Sequence, residues 1–299
     1  MLCVFVAVYP GCEAFLDEYI ASISKQSRRD FTLLVASDGL EDCFIGEKLE
    51  KANIKEYVVL QANRDSTIAQ KREYGFSQAV ERGFKEIILS DVDDLYSGKR
   101  IEVLSSRLGR KKFVINDLLV EAGGREHRVL DENRTPTYIS FESLMRANLA
   151  GFGNSAIEPG ILHDVFPIPQ DIIAVDWWMA TVSSILHGDI EFINQPLTRY
   201  RQHSRNIIGM GKGTSKERIK TGLRVKEAHY RGLEGNRKLP KAYRSVFKDL
   251  KRETEELEEK LTDPEKMERY VQEVNEYLKG RIPLWWEDVV PLHYLGARL

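Results

Sequence analysis

The chain has 299 residues, of which 42% are hydrophobic and 30% charged, with a formal net charge of −2. At roughly 150 residues per domain this makes one large domain or two ordinary ones, with enough apolar material for a sizeable core. The near balance of charge excludes a global basic field for nucleic acid and an acidic, disordered chain, and no run of about 18 apolar residues is there to span a membrane.

Met1 to Val8 is apolar but short and lacks a basic leader, so it reads as a buried strand and not as a signal peptide. A turn at Pro10-Gly11 follows, and Phe15, Tyr19, Ile20 and Ile23 then recur at helical spacing. Phe31 to Ala36 is a second buried strand, stopped by Ser37-Asp38-Gly39, and Tyr57 to Leu60 is a third. Thr67 and Gln70 form a capping box, opening a helix marked by Ala69, Phe76, Ala79 and Val80. Ile87 to Leu89 is a fourth strand, broken by the acidic run Asp91-Val92-Asp93-Asp94. Strand and helix thus alternate over the first hundred residues, which predicts a mostly parallel sheet with helices on its faces.

Further on, Lys112 to Glu121 and Arg125 to Leu130 read as a hairpin across Gly123-Gly124, and Gly151-Phe152-Gly153 as a loop. Asp176 to Leu186 is a helix ended by His187-Gly188, and Ile190 to Ile193 and Leu197 to Tyr200 are two short strands. From Gly213 the chain turns charged and helical. Phe247, Leu250, Leu257 and Leu261 make one narrow apolar stripe; Pro264 restarts a helix whose inward face is Met267, Tyr270, Val271, Val274 and Leu278, and Gly280 ends it. Cys3, Cys12 and Cys43 are odd in number and lack metal-like spacing; they read as free thiols, and a cytoplasmic protein, at most peripheral to a membrane, is expected.

The chemistry concentrates at strand ends. Ligands of parallel sheets gather at the carboxyl ends of strands, and both Asp38 and Asp91 follow such an end. Carboxylates two residues apart, as Asp91 and Asp93 are, can reach one hard divalent cation, whose shell is completed by water and phosphate oxygens. The plainer reading of the same run is a turn with helix-capping aspartates.

These segments, in this order, resemble glycosyltransferase family 2, enzymes of the GT-A fold, and especially its rhamnosyltransferase-like members. The similarity runs from the first strand to about Gly209, roughly two-thirds of the chain. Tyr9 after the first strand, Asp38, the Lys71-Arg72-Glu73-Tyr74-Gly75 helix and Asp91-Val92-Asp93-Asp94 match the family's donor half; Val175-Asp176-Trp177-Trp178 and the run from Tyr200 through His203 to Asn206 and Gly209 match its acceptor half. Pro10, Glu73 and Val175 depart from the residues common at those positions. The resemblance implies a GT-A catalytic domain over 1–212, with a donor half at 1–97 and an acceptor half at 98–212, and a helical extension over 213–299.

It also implies an inverting, metal-dependent hexosyl transfer, as in polysaccharide synthesis, from a UDP-, dTDP- or GDP-linked sugar to an acceptor hydroxyl. Tyr9, Asp38, Arg72, Asp91, Val92 and Arg201 would bind the donor; Asp93, Asp91 and His203 would hold Mn2+ or Mg2+. Asp176 would be the base, its charged form favoured at a helix start and its pKa raised by the adjacent indoles. Trp177, Trp178, Asn154 and Glu158 would meet the acceptor. For each tryptophan the plain alternative is a core position, and for His203 a loop histidine bonded to backbone.

Two other functions fit parts of the pattern. A sugar-phosphate nucleotidyltransferase would share the sheet and the acids but needs a glycine-rich basic loop after the first strand, where Tyr9 to Ala14 has one glycine, an acid and no Lys or Arg. A non-catalytic nucleotide-sugar-binding module would have no use for all three of Asp91, Asp93 and Asp176. The tail is open to membrane-surface association through Trp285-Trp286 and its apolar neighbours, to homo-oligomer formation, or to packing back on the catalytic part; the last is the expected one.

Overall fold

The computed structural model describes residues 1–122, 124–130, 136–203, 213–279 and 282–295. In chain order the elements are β1 (Leu2–Val8), α1 (Glu13–Ser24), β2 (Thr32–Ser37), α2 (Asp42–Lys51), β3 (Tyr57–Gln61), α3 (Ile68–Glu81), β4 (Glu86–Asp91), β5 (Leu95–Tyr96), α4 (Arg100–Ser105), β6 (Phe113–Ala122), β7 (Arg125–Arg128) and β8 (Tyr138–Ile139). They continue with α5 (Phe141–Leu144), β9 (Ser155–Ile157), α6 (Leu162–Val165), α7 (Val175–His187), β10 (Ile190–Tyr200), α8 (Lys216–Gly235), α9 (Lys241–Lys260), α10 (Pro264–Tyr277) and α11 (Leu292–Leu295).

The strands form one sheet in the order β3-β2-β1-β4-β9-β6-β10-β5, with β7 on β6 and β8 on β10. The first four are parallel, and β1, apolar along its length, lies between β2 and β4 as a strand buried on both faces should. β9 runs antiparallel to both β4 and β6 and joins this half to a second one, where β10 is parallel to β6.

Most of the expected elements stand. The capping box at Thr67 and Gln70 is formed in both directions, at 3.3 and 2.9 Å. Gly188, at φ +87°, ends α7 in the left-handed region. Val80 does not share the buried face of α3, which is made of Ala69, Gly75, Phe76 and Ala79. The two strands expected at 190–193 and 197–200 are a single β10. Pro196 has no N–H to give the ladder, so the register against β6 shifts around it and the strand carries on. Helix α2 has no clear signal in the sequence because its buried positions, Ile45 and Leu49, lie in a charged segment. The expected stop at Gly280 and turn residue Gly123 lie outside the described residues.

Helices α1, α2 and α4 cover one face of the sheet and α3 and α7 the other. The second face continues without a break into the C-terminal helices: Tyr230 and Leu233 of α8 and Phe247 and Leu250 of α9 belong to the same apolar cluster as Trp177 and Trp178 of α7. A smaller cluster binds α8, α9 and α10 to Val289 and Val290. The chain just before those valines reaches back to the loop that precedes β9, where the Asn148 N–H donates to the Trp285 carbonyl at 2.9 Å. No helix among the described residues is long and apolar enough to cross a membrane.

Candidate active site

Register brings the acids together. Val8 pairs with Ser37 and Ala7 with Asp91, so β1, β2 and β4 end side by side; the Asp38 N–H donates to the Val8 carbonyl at 2.8 Å. Beside those ends lies a cleft of about 580 Å³ whose walls include Tyr9, Asp38, Arg72, Asp91, Val92, Asp93 and Asp176. The acids that follow the fourth strand and the aspartate that opens α7 therefore face one space, although they come from distant stretches of chain.

The acidic end is tightly built. The Tyr96 hydroxyl accepts the Asp91 N–H at 2.7 Å and donates to its carbonyl at 3.0 Å, fixing the backbone where β4 ends. Asp94 is buried and accepts the Arg201 N–H at 3.1 Å. Gly153 makes room for these side chains: a Cβ there would lie 2.2 Å from Asp94 Oδ2. Burial first, and the Asp93 charge second, push the Asp91 carboxyl up to about 7, against the pull of Arg72. Asp91 keeps 32% of its side-chain surface, so solvent moderates that shift. Asp94 is raised by burial and then by Asp93 and Asp91; the Tyr9 hydroxyl is raised by burial and then by the same two acids.

Arg72 supplies the positive charge. Its Nη2 is 3.9 Å from Asp91 Oδ1, and its guanidinium lies 4.6 Å from the centre of the Phe152 ring. Its Nη1 is buried without a hydrogen-bond partner, a donor that a phosphate oxygen would satisfy. Asp176 stands in the first turn of α7 and accepts the Trp177 N–H at 2.7 Å. Burial raises its carboxyl to about 6, opposed by that N–H, by Arg72 and by a side-chain hydrogen bond from Asn148.

Other expected site residues lie elsewhere. Trp177 and Trp178 are 0% and 1% exposed, and their indole N–H groups donate to the carbonyls of Leu144 and Val165. They are core residues and not an acceptor platform, because the turn of α7 that shows Asp176 to the cleft directs the next two side chains into the protein. Asn154 is fully buried, donates to the carbonyls of Asn116 and Leu149 and does not line the cleft. Glu158 accepts the Gly109 N–H at 3.0 Å and is not part of the cleft wall. Arg201 donates to Glu18 and to the Asp93 carbonyl, and His203 Nε2 lies 2.9 Å from Asp93 Oδ2; both touch Asp93 without lining the cleft. Ser204 to Gly209, the rest of that motif, lies outside the described residues.

Sequence reasoning misses several cleft residues. Lys71 donates to Asp38 Oδ2 at 2.7 Å. Asn148 touches the Asp176 carboxylate, and Tyr200, Trp285 and Trp286 complete the wall. A basic residue beside Arg72 is a readable signal for Lys71; nothing local marks Asn148 or the tail tryptophans. Glu73, a departure from the family pattern, ties down the loop before α7 by accepting the Ile168 N–H at 2.8 Å.

Among the described residues no three His, Cys, Asp or Glu side chains form a ready-made metal cage. The donor set nevertheless fits a hard divalent cation, which takes one or two protein carboxylates and fills its shell with water and phosphate oxygens. The fit rests on charge: burial and the neighbouring Asp93 drive Asp91 toward its protonated form, and a cation beside it would favour its ionised form.

No family model matches the chain, and no curated protein matches it in sequence. Solved structures do match in fold. TarS of S. aureus superposes with a TM-score of 0.58 at 13% identity over 85% of this chain, which spans 43% of that longer protein. TarS 1-349 in complex with UDP-GlcNAc gives 0.59 at 13% identity, covering 83% of this chain and 71% of that one. The mannosyltransferase PcManGT from Pyrobaculum calidifontis, in complex with GDP-Man and Mn2+, gives 0.54 at 12% identity, covering 84% and 68%. At these identities the likeness is one of fold: a GT-A-like α/β architecture with C-terminal helices.

Proposed function

We propose that this protein transfers a sugar from a nucleoside-diphosphate sugar to an acceptor hydroxyl, with inversion at the anomeric carbon, as a family 2, rhamnosyltransferase-like hexosyltransferase. Residues 1–212 would be its catalytic domain and 213–299 a helical extension. One observation carries the reading: a single cleft holds Asp91, Asp93 and Arg72 together with Asp176 from a separate element. The complexes of similar fold with UDP-GlcNAc and with GDP-Man and Mn2+ support it.

Tyr9, Asp38 and Val92 line the end of the cleft assigned to the nucleoside, and Arg72 has its unpartnered Nη1 for the diphosphate. Asp91 and Asp93 would hold Mn2+ or Mg2+, with His203 steadying Asp93. The chemistry supplied there by a bound ion would be charge neutralisation of the diphosphate, which would then be a better leaving group. Asp176 accepts the acceptor's hydroxyl proton as its oxygen bonds to the anomeric carbon; the bond from that carbon to the diphosphate breaks, and its electron pair leaves with the nucleotide. One attack from the face opposite the leaving group inverts the centre.

The test is a panel of UDP-, dTDP- and GDP-sugars scored by thermal shift with and without Mn2+ or Mg2+, because a ligand of the native state raises its melting temperature. A metal-dependent rise with at least one of them is expected. No response to any nucleoside diphosphate would overturn the reading.

A further inference from the structure

We propose that the C-terminal segment forms the acceptor end of the cleft, with the indoles of Trp285 and Trp286 as the apolar wall for an acceptor sugar ring. This rests on the reading of the cleft just given. Both residues line the cleft, with 8% and 4% of their surface left open.

Their place follows from Asn148. Its N–H holds the Trp285 carbonyl at 2.9 Å, and its side chain bonds Asp176. Trp285 is thus linked through one residue to the proposed base, in the same cleft. Room has been kept for its ring: a Cβ at Gly151 would come within 3.0 Å of it, and Tyr200 meets it edge-on at 5.6 Å. Trp286 has φ +66°, a conformation rarely taken by bulky residues and one that Gly would adopt without strain.

The segment is held firmly from behind. Tyr270 bonds Val290 at 2.7 and 2.8 Å, buried Lys226 donates to the Val289 carbonyl at 2.9 Å, and Asp288 accepts from Arg218 and from the Thr214 hydroxyl. A fixed aromatic face beside a base suits the C–H face of a sugar, because the electron-rich ring attracts polarised C–H groups.

The probes are methyl glycosides of glucose, galactose, N-acetylglucosamine and rhamnose, added to the full chain with UDP and Mn2+ while indole emission is followed. At least one glycoside should change the emission saturably. Trp285→Phe and Trp286→Phe should each remove part of that change, and Trp286→Ala should weaken the glycoside about tenfold while UDP affinity stays within about twofold. UDP binding without any emission change, or a change that survives both Phe variants, overturns this proposal alone. Failure of the wild type to bind any nucleoside diphosphate overturns the reading of the cleft instead. If Trp286→Ala does not fold, the two Phe variants, which keep a ring in place, still decide the matter.

Discussion

The chain carries two tandem tryptophan pairs, both packed into one apolar cluster, but only one of them also lines the cleft. Trp177-Trp178 follows the candidate base directly yet is sealed in the core, with Trp177 stacked on His229 at 3.9 Å. Trp285-Trp286 is more than a hundred residues downstream, in a charged tail, yet lines the cleft. Neighbourhood in sequence therefore says little about which indole a ligand meets. On a helix each residue turns about 100° from the last, and here Val175 and Asp176 line the cleft while Trp177 and Trp178 point into the core.

The largest effect that sharpens this contrast is expected at Asp176. Asp176→Asn should cut turnover by about a thousandfold while leaving the fold intact; a variant retaining wild-type turnover would remove the base from the scheme. Next come Trp177→Ala and Trp178→Ala, each costing about 3–5 kcal/mol in urea unfolding because a large buried ring is lost. If either variant kept full stability but lost glycoside binding, the two pairs would have to exchange roles.

Two glycines probe the donor and acceptor ends separately. Gly153→Ala should displace the Asp94 carboxylate and weaken metal-dependent UDP binding by about tenfold or more, whereas Gly151→Ala should crowd Trp285 and act chiefly on the glycoside, by a few-fold. Equal effects of both on UDP would merge the ends that the comparison separates.

The smallest effect is the pH profile. With the Asp176 carboxyl at about 6, kcat/KM should rise with pH to a plateau through that value, and Asp176→Asn should lose this limb. Stability moves the other way. The folded state holds this proton more tightly than the unfolded state, whose carboxyl titrates near 3.8, so its contribution is full below that pH and is lost as pH rises through about 6. Urea midpoints of wild type and Asp176→Asn across this range check the sign.

Much of the first hundred residues is legible in the sequence because its signals are local. Unbroken apolar runs mark β1, β2 and β4, the Thr67 capping box opens α3, and the acids that follow strands arrive at the sheet's ligand edge by topology alone. The later part of the chain is not legible in the same way. Asn148 and the tail tryptophans acquire their positions from contacts between distant segments, and Asn154 reads the same in sequence whether it faces a ligand or the backbone of Asn116.

By itself, then, the sequence determined the alternation of strands and helices, the order of the parallel strands' acids and the helix that presents Asp176, since each depends on periodicity within a few turns of chain. Only the tertiary structure decided which tryptophans meet the cleft and that the C-terminal segment lines it. Those outcomes depend on which face of a helix its neighbours cover and on where a distant segment docks, and neither is encoded in local spacing.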